Sequence, residues 1–117
     1  MSFFDILDEV LSALEIPYYE GQPEFAEDDV PDEFISYSVY DIPKLYGCGR
    51  ELATTYYITV NIYTTGENKA QTADNISAVL TTLLTENGFV RRSGSFGLTD
   101  DFPSCYHRIV EFGYCEE

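Results

Sequence analysis

The sequence predicts an α+β domain of two layers: two helices packed on a mostly antiparallel sheet of four to five strands. Three observations lead there. Two stretches repeat apolar residues at helical spacing, four alternate with a period of two, and the order along the chain is α-β-β-α-β-β. Helices and strands that each carry one apolar face bury those faces against each other. With 117 residues, the chain fits a single domain over 1–117 that needs neither disulfide nor metal to build its core.

The first helix is expected to start at Ser2. Ser2 and Asp5 have the spacing of a capping box, with Asp as a shorter substitute for Glu. Phe3, Ile6, Leu7, Val10, Leu11 and Leu14 form its stripe, and Asp5, Asp8 and Glu9 place acid where the helix dipole favours it. Pro17 ends it. Tyr18 and Tyr19 offer a short extra strand. Gly21, Pro23, Pro31 and the run Glu27-Asp28-Asp29 then read as an exposed acidic loop.

Phe34 to Tyr40 reads as a strand with Ile35, Tyr37 and Val39 on one face. Asp41 to Gly49 is a connection. Leu52 to Thr65 carries the strongest strand pattern, with Tyr56, Ile58, Val60 and Ile62 on the core face and Tyr57, Thr59, Asn61 and Tyr63 on the other. The two strands are expected to pair antiparallel. A long second helix follows Thr65-Gly66. Its stripe is Ala73, Ile76, Val79, Leu80, Leu83 and Leu84, and Asn87-Gly88 stops it. Phe89 to Ser95 is a strand, Leu98 to Ser104 a loop, and Cys105 to Cys115 the last strand.

Composition narrows the function classes. A hydrophobic fraction of 44% and an aromatic fraction of 15% are too high for a disordered acidic tail. The net charge of −15 repels nucleic-acid phosphates and anionic lipid, so sequence-specific nucleic-acid binding and membrane attachment are not expected. No apolar run reaches the roughly 20 residues of a membrane helix. The N-terminus lacks the features of a signal peptide, which points to synthesis in the cytoplasm. Of the three cysteines, Cys105 and Cys115 lie roughly 33 Å apart if one strand joins them, beyond disulfide reach. Free thiols are the expectation for all three.

No catalytic, metal or cofactor pattern stands out. His107 is the only histidine, and a half-buried structural role suits it better than ligation. Cys105 shares its strand face but lacks a third orienting group, so the pair is a weak candidate for a small hydrolase. Neither Glu27–Asp29 nor Asp100-Asp101 matches a calcium-hand loop, and Gly47-Cys48-Gly49-Arg50 lacks the Lys-Ser/Thr of a phosphate cradle. Two features point to association instead. The ten tyrosines include Tyr40, Tyr46, Tyr57 and Tyr63 at positions off the core face or in a connection, where packing within the chain and a subunit contact are both open. Arg91-Arg92 is the one basic pair in an acidic chain. If it met Glu27, Asp28 and Asp29 of a neighbouring copy, the contact would run head to tail and could close a ring.

The segments FDILDEVLSALEIPYYEG and FISYSVYDIPKLYGCGRELATTYYITVNIYT, and above all ATTYYITVNIYT followed by NKAQTADNISAVLTTLLTENGF, resemble the tail terminator proteins of long-tailed bacteriophages and prophages. These are also called tail-completion or head–tail joining proteins. The resemblance covers nearly the whole chain and rests on patterns, with no chemically diagnostic residue. It implies a non-enzymatic virion protein without cofactors, assembling as a hexameric ring at the head–tail interface. Its implied partners are its own copies, the tail tube protein and the head connector protein. DNA would pass the ring on ejection, and an acidic wall would not hold it. The rival reading is an acidic mimic of DNA that inhibits a basic nucleic-acid-binding protein.

Overall fold

A computed structural model of the chain describes residues 2–21, 23–25, 30–43, 54–98 and 105–116, with the backbone alone at 42–43, 54, 93–98 and 116. The elements are α1 (Phe3–Ala13), β1 (Tyr18–Glu20), β2 (Glu33–Pro43), β3 (Thr54–Thr64), α2 (Lys69–Glu86), β4 (Val90–Leu98) and β5 (Tyr106–Glu116). The five strands form one sheet in the order β1-β2-β3-β5-β4. β1 runs parallel to β2, and every other pairing is antiparallel. The α+β class, the element order and the extra strand at Tyr18 are therefore as the sequence predicts.

α1 begins as its capping residues dictate. The Asp5 amide donates to Ser2 Oγ at 3.3 Å, and the Ser2 amide donates back to Asp5 Oδ2 at 3.4 Å. Phe3, Ile6, Leu7, Val10 and Leu11 are its buried face, each stabilising the fold by roughly 1.5–3 kcal/mol. The helix stops at Ala13, and Glu15 takes a left-handed φ of 57°. Tyr18 Oη donates to Asp8 Oδ1 at 2.6 Å, which ties β1 to the helix. Beside it, burial and then the charge of Glu20 raise the Tyr37 phenol above its ordinary range.

α2 ends in a Schellman turn. Gly88 adopts φ 92°, the Phe89 amide donates to the Leu84 carbonyl at 3.0 Å, and the Gly88 amide donates to that of Thr85 at 3.1 Å. Ala73, Ile76, Leu80 and Leu84 are buried, as expected. Val79 differs: it lies at the margin of the stripe and is 51% exposed, while Ser77 is buried instead.

The main core lies between the helices and one sheet face. Ile35, Ile58, Val60, Ile62, Val110 and Phe112 meet the helical side chains there. Arg108 shares that face by alternation. It stays half-buried, with Nη1 3.9 Å from Asp74 Oδ1 on α2.

Two strands run longer than their patterns suggest: β2 continues to Pro43 and β4 to Leu98, while β5 is shifted by one residue to Tyr106–Glu116. The sequence places a connection from Asp41 and a loop from Leu98, because alternation weakens at Asp41 and at the glycines of β4 while hydrogen bonding persists. The acidic run Glu27–Asp29, residues 44–53 with Tyr46 and Cys48, and the loop at 99–104 lie outside the described residues. Cys105 is a free, buried thiol. Cys115 is disulfide-bonded to a partner outside the described residues, which corrects the expectation of free thiols. Spacing along the chain could not reveal this, because it says nothing about which loop a strand end reaches.

Candidate subunit interface

Both helices lie on one side of the sheet, so the other side is the candidate surface. Strand register fixes its rows. One row crosses the sheet through Phe34, Tyr63 and His107, and another through Tyr40, Tyr57, Gly113 and Val90.

The first row is closed. Phe34 and Tyr63 stack with centroids 4.6 Å apart, and Tyr63 and His107 stack at 4.5 Å. Phe34, Tyr63 and Cys105 are buried as a second small cluster, with Tyr19, Phe25 and Val30 packed against it. His107 Nε2 lies 2.8 Å from Asn61 Oδ1. That geometry gives the histidine the structural environment expected of it. Among the described residues, no three His, Cys, Asp or Glu side chains gather closely enough to hold a metal ion.

Among the described residues, the far row is open. Tyr40 stacks on Tyr57 at 5.0 Å, and the Arg92 guanidinium sits 4.3 Å from the centre of the Tyr57 ring. A β-bulge explains the arginine. β4 shifts register between Arg91 and Ser93, so Arg92 has no partner on β5. Arg91 pairs with Phe112 on the helix side of the sheet, whereas Arg92 crosses to the open side. The open row ends in two of the large apolar side chains the surface exposes, Tyr40 at 56% and Val90 at 67%. Between them lies a depression of ≈ 470 Å³ lined by Thr55, Tyr57, Val90, Arg92, Gly113 and Cys115 among others.

The structure therefore separates the residues the sequence singles out. Arg92 and Tyr57 come together on the open face. Arg91 is exposed one residue away. Tyr63, only 3% exposed, is committed to packing within the chain. Glu27, Asp28 and Asp29 lie outside the described residues. Sequence reasoning missed Asp41 and Val90, both exposed at sheet edges. Placing Asp41 in a connection hid it, and strand order, which sets the edges, leaves no trace in periodicity. No protein-family model matches the chain, and no curated protein matches it.

Proposed function

We propose that the chain is a structural assembly protein of a phage or prophage head–tail interface. In this reading it forms a ring that caps the tail tube and joins it to the head connector. The observation that carries the reading is the one-sided fold. No described helix covers the second sheet face, and half of that face ends in the open row of Tyr40, Tyr57, Arg92 and Val90. Aromatic residues and arginine are the side chains that interfaces favour. The resemblance of the sequence to tail terminators adds the ring and its partners. The net charge of −15 suits a wall past which DNA slides.

The reading is tested by adding the purified chain to its cognate tail tube protein during polymerisation and following tube length by electron microscopy. Tubes capped at one end and shorter than those grown without the chain are expected. Tubes of unchanged length with bare ends would remove the reading.

A further inference from the structure

The two edges of the sheet differ in charge. β4 forms one edge and carries Arg91 and Arg92 with no acid along its length. The opposite edge is stepped. β1 covers β2 only at Ile35, Ser36 and Tyr37, so β2 outruns it from Ser38 to Pro43 and no described strand lies beyond. β1 and β2 carry Glu20, Glu33 and Asp41 and no base, and Lys44, which follows β2, lies outside the described residues. Among the described residues, the exposed cations are Arg91 and Arg92, since Lys69 and Arg108 are half-buried. Among the described residues, the exposed positive charge is thus gathered at one edge, and acid stands at the other.

From this we infer that a second copy of the chain docks edge to edge and head to tail, with Arg91 of one copy against Asp41 of the next. The inference rests on the ring reading and names the contact that would build it. The alternatives fail on charge. Joining two β4 edges about a two-fold axis brings two arginine pairs together, and joining two β2 edges brings carboxylates together. Among the described residues, a head-to-tail contact alone sets unlike charges side by side.

Three geometric observations agree. First, the row Tyr40–Tyr57–Gly113–Val90 runs from one free edge to the other. A copy added with only the start of β4, Val90 to Ser93, against the end of β2 that β1 leaves uncovered brings exposed Val90 beside exposed Tyr40 of its neighbour, covering both. Second, Arg91 and Asp41 occupy the same side of the sheet. Arg91 pairs with Phe112 and Asp41 with Tyr56, both on the helix side. A copy added with its helices on that side puts the two charges on one face, about one pleat apart and within the reach of an arginine. Third, β4 runs antiparallel to β5, and β5 and β2 are each antiparallel to β3. In that arrangement the beginning of β4 meets the end of β2, where Asp41 lies. Arg92 stays on its own Tyr57, leaving Arg91 for the neighbour. A contact of this kind closes into a ring when its rotation allows.

Light scattering and native mass spectrometry on the full chain at low salt test this, with Arg91→Glu, Asp41→Arg and the double variant compared. Circular dichroism melts confirm that each folds. Each single variant is expected to weaken self-association about tenfold or more, and the double variant to recover most of that loss. Single variants that assemble like the natural chain, or a double variant no better than the singles, would overturn the contact while leaving a ring built through other surfaces. A natural chain that stays monomeric at every concentration would overturn the contact too, and the tube-capping assay then decides the ring reading separately.

Discussion

Phe3→Ala is expected to destabilise the fold by about 3–5 kcal/mol, the usual cost of deleting a fully buried aromatic ring. Phe3 is 0% exposed and stacks on Tyr56 with centroids 4.3 Å apart. Its ring also lies 5.5 Å from Phe89 and 5.8 Å from Tyr114. The residue therefore joins α1 to β3, to β5 and to the turn after α2. A domain of this size has roughly 5–15 kcal/mol in total, so the variant should melt some 10–20 °C lower. A thermal melt followed by circular dichroism reads this directly. A fall of less than about 2 °C would mean that the start of α1 is not docked on the sheet.

Tyr63→Ala is the second large effect, about 3 kcal/mol. Tyr63 sits between Phe34 and His107, nearly parallel to both at interplanar angles of 12° and 11°. Its removal leaves a cavity over Cys105 and separates a histidine on β5 from an aromatic on β2. Urea unfolding of the variant should show a lower midpoint and an unchanged slope. Because the ring is buried within its own chain, the loss should appear equally in dilute and concentrated samples. A variant of natural stability that associates less would return Tyr63 to the subunit contact.

These two residues show what the sequence makes legible. Phe3 belongs to a stripe that helical spacing picks out, and Ser2 with Asp5 marks where it starts. The alternation in β3 assigns Ile58, Val60 and Ile62 to the core without any knowledge of their neighbours. Period two gives the face of a residue but not the strand beside it. Hence the sequence puts Tyr63 off the helix-side core, correctly, yet cannot foresee that Phe34 and His107 close over it. The same limit hides the insertion of β5 between β3 and β4, which makes β4 an edge. The bulge at Arg92 is equally silent, since Arg91-Arg92 reads as one basic pair while the backbone sends the two side chains to opposite sides of the sheet. Asp41 reads as the first residue of a loop, because a charge at a strand end reads as a stop, yet it lies within β2.

The proposed role is that of a ring-forming component of a phage or prophage head–tail interface. Native mass spectrometry of the chain tests that most directly. One dominant closed species of six copies is expected, dissociating to monomer as salt rises and screens the edge charges. A monomer or two-fold dimer at every concentration and salt would contradict it, and would favour the DNA-mimic reading, in which an isolated acidic chain binds a basic partner.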